Sequence, residues 1–83
     1  MYKVLLEERA RKDLDALDRV IYKRIIERIL ILQSRPRPQG TKKLEGSKNA
    51  WRLRVGDWRI LYEISDARKE VKIYRIMHRS KAY

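Results

Sequence analysis

From Trp51 to Val55 the chain alternates apolar and polar residues, and after Gly56-Asp57 it resumes an alternating pattern from Trp58, with Leu61 the one apolar residue out of phase. The pattern predicts a β-hairpin, because successive side chains of a strand point to opposite faces. Glycine at the first central position suits a two-residue type II′ turn. Such a turn fixes the register: Val55 faces Trp58, Arg54 faces Arg59, Leu53 faces Ile60, and Arg52 faces Leu61. Opposed residues share a face. One face is therefore Trp51, Leu53, Val55, Trp58, Ile60, Tyr62 and Ile64, a core face. The other carries Arg52, Arg54 and Arg59 together.

Like charges directly opposed on a sheet destabilise it by something under about 1 kcal/mol per pair. Folding alone gives no reason to set Arg54 against Arg59. A bound anion would, since arginine holds phosphate with a planar fork and stays charged at any working pH. The competing reading is a solvated face of a very basic protein. The hairpin by itself leaves both open.

Charge separates them further. The 83 residues carry 22 Lys and Arg against 11 Asp and Glu, a net charge of +11. Residues 1–34 hold 8 basic and 6 acidic side chains, while residues 35–83 hold 14 and 5. A strongly basic half beside a nearly balanced one points to a polyanionic partner, nucleic acid first and an acidic protein second. A membrane surface fits less well, because the basic half reads as strands and not as an amphipathic helix.

Length predicts one domain over residues 1–83. The absence of cysteine excludes disulfides and thiolate metal sites, and a lone histidine, His78, excludes a histidine-rich one. No metal or other cofactor is expected. With no signal-like or bilayer-length apolar run, a cytoplasmic location is the simplest expectation.

In chain order, Tyr2–Leu6 reads as a first strand. Glu7 and Glu8 open a helical pattern, and acids suit a first turn. Ala10, Leu14, Leu17, Ile21, Ile25, Ile29 and Leu32 then recur every three or four residues. Asp15 and Asp18 interrupt as possible caps, which predicts two helices, about Glu8–Leu17 and Arg19–Gln33. Ile26, Leu30 and Ile31 widen the second helix's apolar surface, as core or as a partner surface. Pro36 and Pro38 end the helix. A loop bearing Lys42, Lys43 and Lys48 follows, either an ordinary connection or part of a phosphate-tracking groove.

After the hairpin, a turn around Ser65–Lys69 leads to a last strand, Glu70 to about Met77. Val71 and Ile73 fall on one face, Tyr74 and Ile76 on the other, as in a central strand covered on both faces. The expected fold is α+β: a small, mostly antiparallel sheet with two N-terminal helices packed on one face, in the order β-α-α-β-β-β.

Three stretches carry a resemblance: Leu44-Glu45-Gly46, the hairpin from Trp51 to Ile64, and the tail His78-Arg79-Ser80-Lys81-Ala82-Tyr83. With the element order, they resemble the RelE/ParE superfamily of toxins from toxin–antitoxin modules over the whole chain. The His-Arg…Tyr tail is similar to that of the ribonuclease branch, whose members cut mRNA in the ribosomal A site. The ParE-like branch instead poisons DNA gyrase without catalysis. A plain RNA-binding domain is a third reading.

The resemblance implies metal-free attack of a ribose 2′-hydroxyl on the adjacent phosphate, an acidic antitoxin, and a ribosome with mRNA in its A site as partners. It implies Arg54, Arg59, His78 and Tyr83 as catalytic residues, with Arg59 matching the phosphate-stabilising arginine and Tyr83 the general base. Arg52, Arg79, Lys42, Lys43, Lys48 and Lys81 are expected to bind RNA phosphates. The sequence departs from the RelE branch where hairpin lysines become Arg52 and Arg54. Arginine is a poor proton donor at neutral pH. His78 is then the candidate acid, as the side chain that titrates near neutrality.

Overall fold

The computed structural model describes residues 1–81. The elements run β1 (Lys3–Leu6), α1 (Glu8–Asp15), α2 (Arg19–Ser34), β2 (Thr41–Lys43), β3 (Ala50–Val55), β4 (Trp58–Ser65), β5 (Glu70–His78) and a short 3₁₀ turn (Arg79–Lys81). The sheet has the order β1-β5-β4-β3-β2, parallel between β1 and β5 and antiparallel elsewhere. This is the expected α+β order with one strand added. β2 was read as loop, because three residues carry no alternation. They are strand because β3 offers them an open edge, pairing Thr41 with Leu53 and Lys42 with Arg52.

The hairpin register is the one its turn dictates, including Arg54 opposite Arg59 and Val55 opposite Trp58. Gly56 takes φ +62°, while Asp57 keeps a negative φ, the combination of a type II′ turn. Leu53, Ile60 and Tyr62 on its inner face are fully buried, with Val55 and Ile64 nearly so, against Ala10, Leu14, Ile25, Ile29 and Leu32 of the helices. The helices divide where Asp18 caps α2, its Oδ1 accepting from the Ile21 N–H at 3.0 Å. On α2, Leu30 (56% exposed) and Val20 (68%) face solvent, so Leu30 is no part of the core.

β5 corrects the expectation of a strand covered on both faces. Tyr62 pairs with Ile73 and Leu61 with Arg75, so Tyr74 is an unopposed bulge residue. The extra residue switches the phase of the strand. Val71, Ile73 and Ile76 all enter the same core, and Tyr74 turns toward Glu63. Burial first, then the carboxylates of Glu63 and Glu7, raise the Tyr74 phenol above its usual value.

Beyond the bulge, β5 keeps β4 on one side but has no strand on the other, since β1 stops opposite Ile73. The Asp13 side chain of α1 fills the gap. Its Oδ2 accepts from the Ile76 N–H at 2.9 Å and from Arg75 Nε at 2.8 Å, with both side chains largely shielded. Removing the carboxylate strands a backbone donor and a guanidinium. Asp13→Ala is expected to cost about 2 kcal/mol in urea unfolding, and Asp13→Asn, which retains an acceptor, roughly half of that. An unchanged midpoint for Asp13→Ala would show that α1 does not seal this edge.

Candidate functional site

Arg52, Arg54 and Arg59 project from the sheet face opposite the helices, as alternation along β3 and β4 requires. β2 adds Lys42, whose register partner is Arg52. With Gly40 and Thr41 these four cations line an open cleft of about 340 Å³, which has no carboxylate in its wall. Arg79 joins from the far side. Its backbone N–H donates to the Asp57 carbonyl at 2.7 Å, and its Nε lies 3.8 Å from the Asp57 carboxylate.

Arg59 is the best-held member. Its Nη1 donates to the carbonyls of Gly56, 3.1 Å away, and Trp58, 3.0 Å away. The turn therefore orients the guanidinium before any ligand arrives. Partial desolvation lowers the Arg59 pKa from its usual value, and the positive charges of Arg54, Arg52 and Arg79 lower it further, against a small opposing effect of Asp57. The charge is held where its neighbours disfavour it, and an anion would reverse that balance.

The wall that carries Lys42 is fixed from behind. The buried Tyr62 hydroxyl donates to the Pro36 carbonyl at 2.8 Å and lies 3.3 Å from Thr41 Oγ1. Arg37 stacks over the Trp51 ring at 5.0 Å and pairs with Asp66 at 2.9 Å, while Asp66 also accepts from the Tyr2 hydroxyl. The proline turn is thus anchored at both ends before it enters β2.

His78 is not brought to the arginines. It pairs with Trp58 on the helix side of the sheet, where the two rings meet edge to face at 5.4 Å. It lines a different cleft, of about 270 Å³, with Asp13, Leu17, Arg75 and Lys81. The Ser80 N–H lies 3.3 Å from His78 Nδ1, and Ser80 Oγ lies 3.0 Å from the same nitrogen. Lys43, opposite Trp51, also falls on the side away from the arginines. Lys48 is exposed in the β2–β3 connection, outside the arginine cleft. Tyr83 lies outside the described residues.

Sequence reasoning missed two arginines. Arg24 and Arg28 of α2 share a cleft of about 230 Å³ with Arg54 and the turn at Gly56. Their spacing placed them on one face of α2. Only the packing of that helix against the hairpin brings them to its tip.

A model of the ParE toxin of type II toxin–antitoxin systems matches residues 4–83. Among solved structures, the chain is similar to a toxin of the archaeal RelE–RelB complex from Pyrococcus horikoshii, with 31% identity, TM-score 0.85, and 98% of each chain covered. It is also similar to a chain of the toxin–antitoxin complex RelBE2 from Mycobacterium tuberculosis, with 30% identity, TM-score 0.82, and 93% of this chain and 96% of that one covered. The RelB–RelE complex from Methanococcus jannaschii gives 29%, TM-score 0.79, and 95% and 94%. No curated protein sequence matches. Among the described residues no helix is long and apolar enough to cross a membrane.

Proposed function

The chain belongs to the RelE/ParE toxin superfamily, and from that premise we propose that it is the toxin of a type II toxin–antitoxin module and acts as a ribosome-dependent mRNA endoribonuclease. One observation carries this reading: the oriented Arg59 guanidinium, depressed among Arg52, Arg54 and Arg79 in a cleft that Lys42 completes. A convergent, self-repelling cluster on the outer sheet face suits the binding of a polyanion.

The reaction is transesterification. The 2′-oxygen gives its proton to a base and bonds to the phosphorus. The bond from phosphorus to the 5′-oxygen breaks, and that oxygen takes a proton. A 2′,3′-cyclic phosphate and a 5′-hydroxyl result. Arg59, Arg54 and Arg52 stabilise the extra negative charge of the phosphorane, and Arg79 holds a neighbouring phosphate. Tyr83, which matches the family's tyrosine, takes the 2′-proton. Lys42 is the cation lining the arginine cleft that can release a proton to the 5′-oxygen, a role arginine cannot fill. His78 serves to hold the end of β5 against Trp58.

The partners follow from charge. The toxin works in the cytoplasm, on mRNA in the ribosomal A site. An antitoxin with acidic and apolar residues covers both the arginine face and the exposed Val20 and Leu30 of α2, as the similar toxins are found in complexes with antitoxins.

The matching family model bears the ParE name, and that favours one alternative, a gyrase inhibitor without catalysis. Primer extension on mRNA translated with purified toxin separates the two. Cuts within codons that disappear without ribosomes are expected. Intact mRNA together with loss of gyrase supercoiling would overturn the ribonuclease reading.

A further inference from the structure

Arg24 and Arg28 stand one turn apart on α2, a like-charge pair that weakens a helix. Among the described residues neither they nor Arg54 forms an ion pair. Glu27, the one carboxylate in the wall of their cleft, lies beyond ion-pair distance of all three. The Arg24 guanidinium is brought over the hairpin turn: its Nη2 lies 3.3 Å from where a Cβ on Gly56 would stand. Glycine there leaves room for the close approach as well as supplying the turn's positive φ.

Arg54 lines both this cleft and the one that holds Arg52, Arg59 and Lys42. The two clefts are therefore neighbours, joined through a single exposed guanidinium at the hairpin tip. α2 contributes to neither the chemistry nor the wall of the first cleft, so its two arginines need a separate reason.

We infer that Arg24 and Arg28 form a second phosphodiester subsite, which takes the RNA strand after it passes Arg54. The inference rests on the RNA-cleaving reading and extends it. The first cleft holds the scissile phosphate. The second holds the backbone further along, with no base contact, so it adds affinity and register without sequence preference. A strand long enough to reach past the tip engages both clefts, and a short one engages only the first.

The test uses single-stranded 2′-O-methyl oligonucleotides, which lack the attacking hydroxyl, as a trinucleotide and a heptanucleotide. Binding is followed by fluorescence anisotropy between about 50 and 200 mM salt. Each phosphate contact on a single strand contributes about 0.7 to the slope of log affinity against log salt. For Arg24→Gln/Arg28→Gln, the heptanucleotide slope should become shallower by about 1.4, with about 20-fold weaker binding near 0.1 M salt. The trinucleotide should bind as to wild type. Arg9→Gln/Arg11→Gln removes the same charge from exposed positions of α1 and should change neither slope.

An unchanged heptanucleotide slope in the α2 variant would overturn the subsite. So would an equal loss for both lengths, or an equal loss in the α1 control, since either is a bulk effect of net charge. Arg59→Gln keeps the two levels apart: it should weaken both lengths. If it weakens both while the α2 variant has no effect, the subsite fails and the functional reading stands. If it weakens neither, the arginine cleft is not an RNA site and both fall.

Discussion

Arg59→Ala is expected to slow mRNA cleavage by a factor of roughly 10²–10³ while the protein stays folded. The guanidinium is pre-aimed by the Gly56 and Trp58 carbonyls, so its orientation costs nothing at the moment of reaction. Its loss removes a donor from the place where the phosphorane gains charge. The same change relieves repulsion with Arg54, directly opposite, and removes a side chain that is no part of the buried core. The melting temperature should stay within about 4 °C of wild type, the equivalent of less than about 1 kcal/mol at this size. Ile60, the next residue, is fully buried on the other face. Ile60→Ala should cost about 2–5 kcal/mol, a large part of the roughly 5–15 kcal/mol that holds a small domain together. Thermal melts and single-turnover cleavage on programmed ribosomes give both numbers. An Arg59→Ala protein that melts like Ile60→Ala, or that cuts like wild type, removes Arg59 from the chemistry.

That contrast between neighbours was legible in the sequence, because a period of two assigns faces without any knowledge of the fold. The hairpin register followed from the position of Gly56, and the helix break from the spacing around Asp18. β2 was not legible. Thr41-Lys42-Lys43 carries no pattern of its own and is strand only because β3 is there to pair with it. The bulge at Tyr74 was equally hidden, and it matters more. With unbroken alternation, His78 falls on the face of Tyr74 and Ile76, away from Val71 and Ile73. One inserted residue turns Ile76 and His78 to the helix side and puts the sheet between His78 and the arginines. Arg24 and Arg28 were invisible for a third reason: helical spacing gives a residue's face on its own helix but not what that face meets.

The placement of His78 changes what the pH profile of cleavage should look like. Charges that lower the Arg59 pKa act on any acid that enters the cleft. A phenol there is pushed the same way: its anion is favoured, so its pKa is lowered. With Tyr83 as base, the rate should rise with pH up to that lowered value, because more of the phenol is ionised at each step. Tyr83→Phe should then cost roughly 10²–10⁴ in rate. An acid is needed at the leaving oxygen, and the two candidates differ in which variant removes the high-pH limb. If His78 were the acid, the rate would turn down as its imidazolium is lost, and that limb would vanish in His78→Ala. If Lys42 is the acid, the high-pH limb follows loss of its ammonium and is unchanged in His78→Ala. The pH profile is therefore expected to keep the same shape in wild type and in His78→Ala, with at most a modest loss in the latter from the missing Trp58 contact. Lys42→Met should lose activity across the whole range. A high-pH downturn in wild type that vanishes in His78→Ala would return the acid role to the histidine.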